Sequence, residues 1–157
     1  MGDHADIDHS GLTGVGGALE VCSAYNSSAL AVSTSGEGNV TMDTDGHDPG
    51  GYHDTGSNTS RFTIPTGKGG GFLLVVNMRL TADPGNGYFT ARKNGGATIV
   101  AEAAITRDTN TGAYTITLAQ FLELADADYL NFTALAQSAC NISHQFPLPW
   151  ISLIKLY

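Results

Sequence analysis

The chain has 157 residues, of which 41% are hydrophobic and 14% charged, with 20 glycines and a net charge of −8. This length and composition suit one domain with an adequate core. No run approaches the ~18 apolar residues of a membrane span, and Lys and Arg are too few for a row of phosphate contacts; we therefore expect neither a membrane nor a nucleic-acid partner.

Charge is unevenly placed. Residues 1–60 contain Asp3, Asp6, Asp8, Glu20, Glu37, Asp43, Asp45, Asp48 and Asp54 but no Lys or Arg, whereas residues 61–157 are close to neutral. Such a segment is either a solvated acidic face or an arm that docks on a basic partner. Residues 1–20 alternate for no useful length and carry isolated Ile7, Leu12, Val15 and Leu19 among glycines and polar residues. They read as the main part of an extended N-terminal arm, residues 1–28, ahead of a β-sandwich over residues 29–157. The opening MGDHADIDHS lacks the basic and apolar regions of a secretory signal.

A first strand is expected at Ala29–Ser33 and a second at Val40–Met42. Between Asp43 and Asn58 the sequence DTDGHDPGGYHDTGSN is a long loop of turn formers. Its carboxylates Asp43, Asp45, Asp48 and Asp54 start like a calcium loop, but the glycine and the bidentate Glu of that motif are missing, and turn chemistry is the better reading. His47 and His53 lack zinc-ligand spacing.

The organising stretch is Tyr52–Ala82, whose first strand is Ser60–Ile64. Phe62 and Ile64 share one face of a short strand that Pro65 ends. Thr66 to Gly71 form a glycine-rich corner. From Phe72 the period is two: Phe72, Leu74, Val76, Met78 and Leu80 line one face, and the opposite face starts apolar at Leu73 and Val75 before turning polar at Asn77 and Arg79. A strand apolar on both faces at one end is covered there by a sheet rim or another subunit.

Asn94-Gly95 marks a hairpin between Tyr88–Lys93 and Ala97–Ile105. Tyr114, Ile116 and Leu118 alternate on a further strand, which Phe121–Leu124 either extends or closes with a helical turn. Leu130, Phe132 and Ala134 alternate on the next strand, Phe146–Pro149 is an extended connector, and Trp150–Tyr157 ends the chain as an apolar strand that belongs in the middle of a sheet. Many short strands separated by turns predict an all-β, two-sheet antiparallel sandwich. Cys22 and Cys140, paired or free, make no disulfide framework. No nucleophile elbow, phosphate loop or dinucleotide motif occurs, and Asp126 and Asp128 read as turn residues, so no catalytic residue, cofactor or metal is assigned.

The order SRFTIP, glycine corner, GFLLVVNMRL, YFTARKNGG, ITLAQFLELADADYLNF and SLIKLY resembles the complement globular-head and tumour-necrosis-factor-like jelly-roll family, over roughly residues 40–157. Phe72 and Leu74 stand where that family places an alternating pair after its glycine corner. Asp128-Tyr129-Leu130 stands in place of its Gly-Asp-Tyr-Val, with Ala127 where the glycine belongs. Ile7-Asp8-His9-Ser10-Gly11-Leu12-Thr13-Gly14 resembles an opening motif of bacteriophage structural proteins.

The resemblance implies a homotrimer. Leu73, Val75, Tyr88 and Trp150, with Val100 and Ile154, are the apolar residues expected at its interface. It further implies a non-enzymatic virion protein on the exterior of the particle, with Ile7, Asp8, His9, Leu12 and Val15 of the arm meeting the major capsid protein or another virion protein. The alternative is a receptor- or host-glycan-binding tip of a tail or head fibre; a fibre needs a long shaft, and only residues 1–28 precede the expected head.

Overall fold

The computed structural model describes residues 19–107, 113–144 and 150–157. These form two antiparallel sheets built from strands β1 (Val21–Tyr25), β2 (Leu30–Ala31), β3 (Gly38–Asn39), β4 (Thr44–His47), β5 (Arg61–Thr63), β6 (Gly70–Leu80), β7 (Gly87–Lys93), β8 (Ile99–Ala104), β9 (Thr106–Arg107), β10 (Tyr114–Leu124), β11 (Tyr129–Ala136), β12 (Asn141–Ile142) and β13 (Ile151–Lys155). The larger sheet runs β2-β12-β6-β13-β1-β4, with β10 on the other side of β6 and β9 beyond it. The smaller runs β3-β11-β7-β8, with β5 also on β11. This is the predicted two-sheet jelly roll.

β6 is the axis of the larger sheet, because its two edges carry long partners. β10 pairs along its whole length from Leu124↔Gly70 to Tyr114↔Leu80, and β13 pairs from Lys155↔Phe72 to Ile151↔Val76. The predicted register is the observed one: Phe72, Leu74, Val76, Met78 and Leu80 are buried. They face Phe62, Phe89, Phe132, Leu130 and Ala134 of the smaller sheet's strands, all inside the same apolar cluster. Phe62 meets Phe132 edge-to-face at 5.2 Å, and Phe132 stacks on Phe89 at 6.0 Å. Trp150 fills the same core and its indole N–H donates to the Ser143 carbonyl at 3.1 Å, which satisfies its one polar group.

Two turns take the backbone conformations their residues allow. At the corner before β6, Gly67 and Gly70 have φ of +79° and +146°, and a Cβ on Gly70 would run into the Tyr157 carbonyl. Asp126 locks this corner by accepting the Gly67 and Gly69 N–H groups at 2.7 and 2.8 Å. The β7–β8 connection, residues 94–98, starts with a primed turn: Asn94 and Gly95 both have positive φ and the Gly96 N–H donates to the Lys93 carbonyl at 3.2 Å. Ala127, in the turn before β11, is held at φ +64°.

Several expectations are corrected. The first strand of the sheet is Val21–Tyr25, inside the segment read as arm, because Val21–Ala24 pair with Ile154–Ile151 of β13. The expected strand Ala29–Ser33 shrinks to an edge pair, Leu30–Ala31. Val40 and Met42 are buried, yet the strand there is Gly38–Asn39. The acidic loop contains β4, which pairs with β1. Tyr114–Leu124 is one unbroken strand, so Phe121 belongs to a sheet and not to a helical turn. Cys22 and Cys140 are free, buried thiols, and burial pushes both up from the usual thiol range. The connector Phe146–Pro149 lies outside the described residues.

Candidate interaction surface

Side chains alternate across a strand, so the residues between the core positions of β6, β10 and β13 form the outer face of the larger sheet. Register places Phe121 opposite Leu73, Leu73 opposite Ile154, and Ile154 opposite Val21. One apolar row therefore crosses four strands. The next row is Ala119, Val75, Ser152 and Ser23, again by direct pairing. Beyond it the face turns polar at Asn77 opposite Thr117 and at Arg79 opposite Thr115. Phe121 is 46% exposed, and Leu156 and Tyr157, just past the end of β13, are exposed too. Tyr157 packs over Gly71 and donates its hydroxyl to Glu123. Cross-strand pairs of this kind stabilise the sheet; here Val21, Leu73, Val75 and Ile154 stay half-buried and Phe121 exposed, while Ser23 is buried.

Of the six apolar residues expected at an interface, Leu73, Val75 and Ile154 lie half-buried on this face. Tyr88 and Val100 sit in β7 and β8 of the smaller sheet, so they cannot share it. Tyr88 reaches Glu37, which also takes the Arg92 fork at 2.8–3.1 Å. Trp150 is 2% exposed within the single chain and offers no surface to a neighbour. Phe121 is the residue the sequence reading missed: its pairing with Leu73 becomes visible only once Tyr114–Leu124 is read as one strand of period two. The arm residues Ile7, Asp8, His9, Leu12 and Val15 lie outside the described residues.

The acidic residues of the described segment are spent on turns and ion pairs. Asp43 accepts the Ser27 N–H and hydroxyl, both at 2.7 Å. Asp48 accepts the Tyr52 and His53 N–H groups at 3.0 and 2.8 Å. Asp54 accepts from Ser57 and Gly56, and these donors hold its pKa down at about 2. His53 is inside, with Nδ1 2.6 Å from Asp45 and Nε2 3.3 Å from the Thr59 carbonyl. Glu20 pairs with Lys68 and accepts the Tyr52 hydroxyl, and those hydrogen bonds lower its pKa while burial raises that of Tyr52. Asp128 caps the next turn through Ala125, Asn94 and Lys93. Among the described residues no group of three or more His, Cys, Asp and Glu side chains is placed to hold a metal ion, and no helix is long and apolar enough to cross a membrane.

No family model matches the sequence, and no curated protein aligns with it closely enough to count as a match. Solved structures do share its fold. Murine APRIL, crystallised at pH 5.0, superposes with a TM-score of 0.66 at 10% identity over 88% of this chain and all of that one. Eiger TNF from S. frugiperda gives 0.61 at 15% identity over 88% and 92% of the two chains. The globular domain of zebrafish complement 1qA gives 0.60 at 11% identity over 88% and 98%. The chain has the jelly roll of the tumour-necrosis-factor and complement globular-head proteins; at these identities the likeness is one of fold.

Proposed function

We propose that this chain is a non-enzymatic structural protein of a bacteriophage particle: a homotrimeric head that decorates the outside of the capsid and is held there by its N-terminal arm. The observation that carries the trimer is the apolar row Phe121, Leu73, Ile154 and Val21, continuous across four strands on the outer face of the larger sheet. Contiguous apolar surface of this kind is characteristic of contact sites, and the jelly-roll resemblance supports three copies around an axis. The phage context rests on the resemblance of Ile7–Gly14 to a phage opening motif and on the acidic, Lys- and Arg-free first 60 residues. Three arms leaving one rigid head would bind a capsid through avidity, since the second and third contacts form at high effective concentration. The engagement of Asp43, Asp48, Asp54, Asp126 and Asp128 in turns is what a scaffold uses carboxylates for, and supports a role without catalysis.

Light scattering on the purified chain tests the assembly. One chain is 16.3 kDa, and we expect about three times that mass at micromolar concentration. A stable 16.3 kDa species would overturn the trimer.

A further inference from the structure

On the opposite layer, an open pocket is lined by Gly51, Tyr52, Asp54, Asn58, Arg61 and Thr63. Alternation in β5 sends Phe62 into the core and leaves Arg61 and Thr63 on the outer face of the smaller sheet. There the Arg61 guanidinium carbon lies 4.5 Å from the centroid of the Tyr129 ring, a cation–π contact that holds the side chain against the sheet. Unlike Arg92, whose nitrogens are taken up by Glu37 and the Ala97 carbonyl, Arg61 makes no side-chain hydrogen bond or ion pair with any described residue. Its Nε is closed from solvent and has no partner. The two terminal nitrogens of the fork are likewise taken up by no described residue, and since Arg61 lines the open pocket they are left for a charged acceptor supplied from outside.

We propose that this pocket binds a hydroxylated monocarboxylate, the chemistry of a sugar acid such as a uronic acid, with Arg61 as the ligand of the carboxylate. Asp54 decides between anions. Asp54 lines the same pocket, so an acidic residue stands beside Arg61 there, its carboxylate already accepting from Gly56 and Ser57. A multiply charged phosphate is opposed by Asp54, whereas sugar hydroxyls donate to it while the acid group takes the guanidinium. The site is also built in advance. Asp48 pins Tyr52 and His53, the buried His53 ties the loop to Asp45 and Thr59, and Gly51 and Asn58 take positive φ at its two ends. Preformed geometry spares a ligand the cost of ordering the loop. The proposal rests on this pocket alone and is independent of the oligomer and of the particle.

The test is a titration of the full-length, isotope-labelled protein at neutral pH with glucuronate, glucose, acetate and inorganic phosphate, followed by amide shifts. Glucuronate should give saturable shifts at Gly51, Asn58, Arg61 and Thr63, stronger than those from acetate or phosphate, with none from glucose. Arg61→Gln should abolish them. Arg61→Lys keeps the stem and charge but loses the fork, and should weaken binding by roughly ten- to a hundredfold; it serves as the deciding variant should the glutamine form be unfolded. An oligouronide that binds more tightly than the monomer assigns a polysaccharide source, and equal affinity assigns the free acid. Absence of saturable shifts at these amides, equal binding of glucose, acetate or phosphate, or unchanged affinity in folded Arg61→Lys would each overturn the proposal.

Discussion

Phe121→Ala is the substitution that separates an interface from an ordinary surface. Phe121 stands directly opposite Leu73 and is 46% exposed in the single chain. An aromatic side chain carries about 200 Å² of accessible surface, so about 90 Å² of this one is open to a partner. At ~25 cal/mol per Å² that is about 2 kcal/mol for each protomer and about 7 kcal/mol for three, an upper figure that assumes complete burial. It corresponds to roughly five decades in the dissociation constant of the trimer. Sedimentation velocity over a dilution series reads this loss as dissociation at far higher concentration than for the unaltered chain. Trp150, the one tryptophan and sealed in the core, reports by its fluorescence whether each dissociated protomer is still folded. Equal dissociation of Phe121→Ala and the parent would refute the assignment of this face, as would unfolding without a folded monomer.

Three further outcomes follow from the core, the corner and the ion pairs. Phe72 is fully buried and meets Tyr52 edge-to-face at 6.1 Å, so Phe72→Ala should cost about 3–5 kcal/mol in chemical denaturation; an unchanged midpoint would contradict the register of β6. Gly70→Ala should lower the melting temperature, since its φ of +146° and the nearby Tyr157 backbone both oppose a side chain, whereas Gly36→Ala, with nothing within 4 Å, should leave it unchanged; equal effects would remove the special role of the corner. Hydrogen bonds from Lys68 and Arg92 hold Glu20 and Glu37 below the ordinary carboxylate range. Their folded-state pKa lies below the unfolded value, so this stability is present above the ordinary Glu range and is lost as pH falls through the folded pKa. Calorimetry from pH 7 downward should show the melting temperature falling below about pH 4.5, with a shallower fall in Glu37→Gln; a slope that Glu37→Gln leaves unaltered would contradict the assignment.

The parts of the fold legible in the sequence are those where a local rule and the global arrangement agree. The period-two run from Phe72 to Leu80, the Asn94-Gly95 hairpin and the apolar C-terminal strand all predict their own place, since side-chain burial fixes register wherever one face is core. The strands that escaped are short edges such as Thr44–His47, Thr106–Arg107 and Asn141–Ile142, which exist through pairing with a distant partner and carry no periodicity of their own. Val21–Tyr25 escaped for the same reason, its place being set by β13. For the interaction face, Leu73, Val75 and Ile154 were legible as apolar residues in excess of one core. Phe121 was hidden by the LAQFLEL run, which reads equally as strand or helical turn. The Arg61 pocket was not legible at all, because Arg61 and Tyr129 come together only through the β5–β11 pairing.

The proposed role is tested most directly by co-sedimentation with undecorated phage heads. The full-length chain and a chain lacking residues 1–20 are each mixed with heads, and the bound fraction is measured across a salt series. We expect the full-length protein to pellet with the heads and to loosen as salt rises, because acidic side chains facing a basic surface are screened. The shortened chain should remain folded and of the same assembly state but stay in the supernatant. Failure of the full-length protein to bind heads, or binding by the shortened chain with undiminished strength, would contradict the account.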